Sequence, residues 1–393
     1  MKTAATEMFG IDVPIFAFSH CRDVIAAVCK AGGMGVLGAV AHTPEQLEID
    51  LDWIEAEIGD RPYGVDLIVP AKYAGSDEGG MSWSKVAELI PPEHVAFVDE
   101  LLRKYDVPEL PADDGPAESG PDPNRGTGQG EGSGSRQGAA IFSATRADSQ
   151  LEIALAHRTV LVVNALGPPT AHMIERVKEE GRRIGALAGA AQHAERHVNA
   201  GVDIIGAQGS EAGGHTGEIG SMVLIPEIVD AVGDVPVLGA GGIGRGRQMA
   251  AAMALGAQGV WCGSVWLTTE EAETHPVVKE KFLKATSADT VRSRSRTGKP
   301  ARQLRTAWTD EWDDPANPKP LGMPMQPLLI DEAIRRIDRA AYKEGSGAEQ
   351  LANYFVGQIV GTMNVSKPAA QVVYDMIEEF IDATESLAHQ LEA

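Results

Sequence analysis

Short apolar runs rich in Val, Ile and Leu recur along the chain and alternate with stretches whose apolar residues fall at helical spacing. The runs lie at 13–18, 34–37, 63–69, 159–164, 184–188, 202–207, 235–239 and 258–263, with helical patterns at 22–31, 44–58, 169–180, 190–200 and 245–255. Strands this continuously apolar are expected of a parallel sheet covered by helices. Eight successive strand–helix units predict an α/β fold of the TIM (β/α)8 barrel type, in which chemistry sits on loops after the C-terminal ends of the strands. A doubly wound open sheet is the alternative.

Two stretches break the rhythm. Residues 109–137 are dense in Gly, Pro, Ser and Asp with almost no large apolar side chains, so they bury too little surface to offset ordering and are expected to be a disordered insertion after the third strand. Upstream, 82–104 reads as helical. Residues 308–329, proline-rich and carrying Trp308 and Trp312, read as an extended connector. Helices are expected behind it at 330–342 and 369–391, forming a helical C-terminal lobe. The resulting division is a barrel over 1–290 and a connector with lobe over 291–393, the lobe packing on the barrel.

Composition narrows the class. The chain has 393 residues, 43% of them hydrophobic, and a net charge of −22. That acidity argues against nucleic-acid binding and against an anionic membrane surface, both of which need basic footprints. The first residues have no apolar signal-like region and no segment qualifies as membrane-spanning, so a cytoplasmic enzyme acting on a small molecule is expected. Cys21, Cys29 and Cys262 are scattered without CxxC spacing, which suits free thiols and gives no zinc site. The sequence leaves the oligomeric state open, a homodimer included.

Candidate chemistry lies on three loops. Gln208-Gly209-Ser210-Glu211-Ala212-Gly213-Gly214-His215 follows the sixth apolar run and presents a histidine among glycines, which let backbone amides approach a flat or anionic ligand. A tight turn with a surface histidine is the plain alternative. The seventh run enters Gly239-Ala240-Gly241-Gly242-Ile243-Gly244 and then a helix, whose N-terminus is a ready anion site. The eighth ends in Trp261-Cys262-Gly263-Ser264. Paired glycine loops on the seventh and eighth strands match the phosphate site of the barrel fold. Neither GxxxxGK[ST] nor a GxGxxG after the first strand is present, which favours a phosphate-bearing cofactor in a barrel over ATP or a Rossmann-bound dinucleotide.

These motifs, with Ala31-Gly32-Gly33-Met34-Gly35, Gly64-Val65-Asp66-Leu67, Thr297-Gly298-Lys299-Pro300-Ala301-Arg302 and Gly357-Gln358, resemble the nitronate monooxygenase (2-nitropropane dioxygenase) family of FMN-dependent TIM barrels. The resemblance implies a flavin oxidoreductase that oxidises a nitronate or related small substrate with oxygen as acceptor. Gly241, Gly242, Gly263 and Ser264 would hold the FMN phosphate, with Trp261 and Cys262 in the same loop. Gln208, Gly213 and Gly214 would contact the flavin or its ribityl chain, and Ala17 and Phe18 would lie against the isoalloxazine. His215 would be the catalytic proton-transfer residue.

The chain departs from the family at two of these places. It reads Ala17-Phe18-Ser19 where the family often has Ala-Pro-Met, and Asp66 where an FMN-contacting asparagine is usual. The departures suggest a subgroup similar to flavin oxidoreductases of acyl-CoA or steroid-ring catabolism, or to the enoyl-acyl-carrier-protein reductases. The alternative activity is therefore an NAD(P)H-dependent flavin reductase acting on a quinone, enoyl-thioester or acyl-CoA substrate.

Weaker signals have plainer readings. His193 and His197 sit at i, i+4 without HExxH and read as a solvated helix face. Arg292-Ser293-Arg294-Ser295-Arg296 could meet phosphates of NAD(P)H or coenzyme A, or be an exposed loop balancing local acidity. His20 follows the first strand closely enough to lie near the flavin. Cys262 reads as a small buried residue.

Overall fold

The computed structural model describes residues 1–68, 88–110, 144–164 and 167–392. In chain order the strands are β1 (Ile15–Ser19), β2 (Met34–Gly38), β3 (Gly64–Leu67), β4 (Leu161–Asn164), β5 (Arg183–Ala188), β6 (Ile204–Gln208), β7 (Gly214–His215), β8 (Val237–Ala240), β9 (Gly259–Cys262), β10 (Thr290–Ser293) and β11 (Ala301–Leu304). Eight of them, β1 to β6 with β8 and β9, form a closed parallel barrel, while β10, β11 and β7 form a small antiparallel sheet. Closure comes from β1 pairing with β9 through Ile15–Val260, Phe16–Trp261 and Ala17–Cys262. With both edges paired, the open-sheet alternative falls.

The period-two alternation of strands sorts the side chains. Phe16, Val36, Leu161, Val163, Leu238 and Trp261 fill the interior as one cluster. Their neighbours Ile15, Ala17, Val260 and Cys262 turn outward against the helices, as do Val65, Leu67 and Val162 on the other side. The helix Ala4–Phe9, which the hydrophobic pattern did not announce, joins the interior cluster through Ala5 and Phe9. Thr3 and Thr6 cap it reciprocally, and Phe9 meets Phe16 edge-on at 5.6 Å. It plugs the N-terminal end of the barrel and leaves the C-terminal mouth for chemistry.

Three sequence expectations need correction. The helix Ser221–Val232 lies between β7 and β8, hidden by Pro226 inside it. The stretch read as an extended connector contains the helix Ala307–Asp313, whose Trp308 and Trp312 are buried, and the next helix, Met325–Ala341, starts earlier than expected. Both tryptophans join Phe282, Leu304, Ile337 and Leu351 in a core separate from the barrel's. Proline density misled here because Pro315, Pro318, Pro320 and Pro324 follow that short helix without entering it, and Pro327 sits in the first turn of the longer one, where it is tolerated.

After β3, the helix Pro92–Lys104 covers the later part of the 82–104 expectation, and Ala144–Ala156 precedes β4. Of the expected insertion 109–137, all but residues 109 and 110 lies outside the described residues. The last helix, Ala369–Glu392, packs on the barrel helices Gly246–Ala254 and Arg22–Lys30. Its Glu379 forms a forked ion pair with Arg245. No helix among the described residues is long and apolar enough to cross a membrane.

Candidate active site

Alternation along the strands brings four predicted residues to the inner side of the mouth. Phe18 and Trp261 stack with ring centroids 6.1 Å apart. Gln208 ends β6 half-exposed, and Asp66 sits on β3 only 3% exposed, between outward-facing Val65 and Leu67. Ala17 and Cys262 turn their side chains outward, so they offer the mouth main-chain atoms only. All three cysteine thiols are buried, and burial pushes each up to about 12, which removes them as nucleophiles.

The loops after β8 and β9 are adjacent because Ala240 pairs with Trp261. Gly241 and Gly242 both adopt left-handed backbone, φ +91° and +68°, and a Cβ on Gly241 would lie 2.8 Å from the Gly209 carbonyl oxygen. Only glycine fits there. Among the described residues, no acceptor takes the amide N–H of Gly241, Gly242, Ile243, Gly263 or Ser264. Ser264 Oγ accepts the Gly357 N–H at 2.8 Å, which leaves its own proton to donate. The helix that follows is different from expectation. Its first amides are already taken, Gly244 and Arg245 by Gln248 Oε1 and Gly246 by Glu379. The amides left without an acceptor therefore belong to the glycine loops, one turn upstream of the helix N-terminus.

His215 lies on β7 opposite Ala301 of β11. Its Nδ1 is 3.2 Å from the Pro300 carbonyl oxygen, and since a carbonyl only accepts, Nδ1 carries the proton and Nε2 a bare lone pair. That Nε2 has no hydrogen-bond partner among the described residues. Phe355 flanks the ring at 6.5 Å between centroids. Burial lowers the His215 pKa, the Pro300 hydrogen bond opposes this, and the Lys299 charge lowers it further. The site thus presents a neutral imidazole with one free acceptor.

The motif contains a brace that sequence reading did not assign. Glu211 accepts the Ser221 amide at 3.0 Å, at the N-terminus of the helix Ser221–Val232, where a carboxylate is favoured. Ser221 Oγ also lies 2.9 Å from the Gly241 carbonyl, so one carboxylate ties the β6 loop to the β8 loop. Arg302 Nε donates to the Ser210 carbonyl at 3.0 Å, and Gln358 donates its amide to the Glu211 carbonyl at 2.9 Å. Gly213 packs against the backbone of Val356 and Gly357, and Gly214 precedes His215 on β7. An Asp/Glu followed ten residues on by a helix-starting serine was the available signal.

The secondary candidates resolve differently. His197 is buried with Nε2 3.3 Å from the Leu187 carbonyl, while His193, one turn earlier, is exposed, so the solvated-face reading holds for His193 alone. In the arginine island, Arg292 pairs with Glu218 and donates to the Thr216 carbonyl at 3.2 Å. Arg296 donates to the Asn353 carbonyl and lies over the Tyr354 and Phe355 rings. Only Arg294 stands exposed.

Comparison with known proteins agrees with this architecture. A family model described as nitronate monooxygenase matches residues 129–379. A putative monooxygenase, Rv1533, of Mycobacterium tuberculosis is 55% identical over 387 residues, 98% of each chain. A probable nitronate monooxygenase of Staphylococcus saprophyticus is 28% identical, over 86% of this chain and 88% of its own. Among solved structures, nitroalkane oxidase from Streptomyces ansochromogenes superposes with a TM-score of 0.75 at 25% identity, covering 98% of this chain and all of its own. FabK from Thermotoga maritima gives 0.70 at 26% identity over 99% of each. With the family model spanning more than half its length, the chain belongs to the nitronate monooxygenase family of flavin-dependent oxidoreductases.

Proposed function

We propose that the protein is an FMN-dependent oxidoreductase of the nitronate monooxygenase type, oxidising a nitronate or related small substrate with oxygen as acceptor. The observation that carries this reading is the set of five unaccepted amides at Gly241, Gly242, Ile243, Gly263 and Ser264. Such a set, with the free Ser264 hydroxyl proton, fits a phosphate, which accepts several hydrogen bonds at once. Phe18 and Trp261 offer flat apolar surface beside it, and Gln208 a polar handle. When bound, the flavin supplies the redox chemistry.

His215 supplies the proton chemistry. For a substrate that still carries its proton, such as the neutral nitroalkane from which a nitronate derives, the bare Nε2 takes that proton, the electron pair of the broken C–H bond stays on the substrate as the nitronate, and the imidazolium keeps its Nδ1–H on the Pro300 carbonyl. Loss of that proton to water resets the ring. Because burial lowers this pKa below the ordinary 6.5, the neutral acceptor dominates at neutral pH. Turnover is expected to be level between about pH 7 and 8 and to fall as the pH drops through a value below 6.5. A pH–rate profile whose acid limb lies above 6.5 contradicts this role for His215.

A second reading, an NAD(P)H-dependent reductase of a quinone, enoyl-thioester or acyl-CoA substrate, draws on Asp66. Buried at the mouth, Asp66 takes the place of the family's usual asparagine, a departure that sets this chain apart from a typical nitronate-oxidising member. Anaerobic mixing of flavin-loaded protein separates the two. Bleaching by a nitronate with none by NADH or NADPH supports the first reading, and the reverse supports the second. Flavin that none of these compounds reduces contradicts both.

A further inference from the structure

We propose that His20 is a second hydrogen-bond acceptor of this site, taking an N–H or O–H group of the bound flavin or substrate on its Nε2. The proposal rests on the flavin reading above. His20 follows β1 and lies over the end of β2, with Nδ1 2.7 Å from the Gly38 carbonyl oxygen. That carbonyl can only accept, so Nδ1 carries the proton and Nε2 is a bare lone pair. Among the described residues Nε2 has no hydrogen-bond partner.

The position is built for the ring. A Cβ on Gly38 would lie 2.7 Å from His20 Nδ1 and 2.8 Å from Phe18 Cε2. Gly38 is not among the glycines with positive φ, so what needs glycine there is the space taken by the two rings. The His20 ring stands edge-on to Phe18, centroids 5.2 Å apart, and Phe18 stacks on Trp261. Phe18 also passes 3.6 Å from where a Cβ on Gly263 would be, which ties His20 to the amide cradle through a single aromatic ring.

Burial lowers the His20 pKa and neighbouring His42 adds to this, against the Gly38 hydrogen bond. The ring is therefore a neutral acceptor, and it repels ligand carbonyl and carboxylate oxygens while attracting donors. His215 is fixed in the same tautomer by Pro300, so two backbone carbonyls each leave one imidazole Nε2 bare. In this arrangement His215 moves the proton and His20 orients the ligand. The shared ligand chemistry is an N–H or O–H donor. A flavin imide and a substrate hydroxyl or amide both provide it.

The test uses His20→Leu, which removes the acceptor, and His20→Gln, which keeps one. Nitrogen NMR of the wild-type protein, with and without FMN, reads the tautomer directly and is expected to show His20 Nε2 unprotonated. If the flavin is the donor, His20→Leu weakens FMN binding roughly tenfold and His20→Gln restores most of it. If the substrate is the donor, FMN affinity holds while KM rises roughly tenfold in His20→Leu and recovers in His20→Gln. A proton on Nε2, or a His20→Leu protein with FMN affinity and KM both unchanged, overturns the proposal. Wild-type protein that takes up no FMN contradicts the flavin reading instead.

Discussion

Replacing His215 by alanine is expected to lower turnover by roughly 10²–10⁴-fold, the usual contribution of a positioned general base, while leaving flavin bound. The size of the effect follows from the geometry. His215 Nε2 is an acceptor set by a hydrogen bond on the opposite nitrogen, and alanine leaves water to take the proton without orientation. His215→Gln is expected to be nearly as slow, because an amide cannot carry the proton. Flavin retention follows because His215 stands on β7, outside the loops whose amides are unaccepted. Steady-state kinetics with the flavin spectrum of each variant checks both halves. Near-wild-type turnover in His215→Ala removes this residue from the chemistry, and loss of flavin reassigns it to binding.

Gly241→Ala is expected to weaken FMN binding by roughly 100-fold, about 3 kcal/mol, the loss of one or two charge-assisted hydrogen bonds. Alanine at φ +91° is strained, and its methyl would meet the Gly209 carbonyl at 2.8 Å. The loop must shift, and its amides shift with it. Gly59→Ala controls for backbone strain, since Gly59 has φ +62° and nothing within 4 Å of an added Cβ. Both variants are expected to lose stability of order 1 kcal/mol, but only Gly241→Ala loses FMN. Equal FMN affinity in the two variants would mean that the Gly241 loop is not the phosphate site.

Much of this was legible in the sequence because its causes are local. Parallel barrel strands are buried on both faces, so β1 to β6, β8 and β9 read as plain apolar runs. Glycines 241 and 242 announce a loop because their backbone conformation excludes other residues. What escaped depends on distant partners or on local signals that mislead. Closure through Phe16–Trp261 joins residues far apart in sequence, and nothing near His215 reveals that Pro300 sets its tautomer. The clamp from Glu211 to Ser221 needs the β6 and β8 loops already side by side. Trp308 and Trp312 sit beside a proline-rich stretch, yet they anchor a helix because the lobe core buries them.

The central claim is that the loops ending β8 and β9 grip a phosphate, and this separates FMN from its phosphate-free counterpart. Titrating flavin-free protein with FMN and with riboflavin, followed by flavin fluorescence, measures that grip directly. The account predicts that FMN binds at least roughly 100-fold more tightly than riboflavin, and that Gly241→Ala erases most of the difference. Equal affinity of the wild-type protein for the two flavins, or binding of neither, would contradict it.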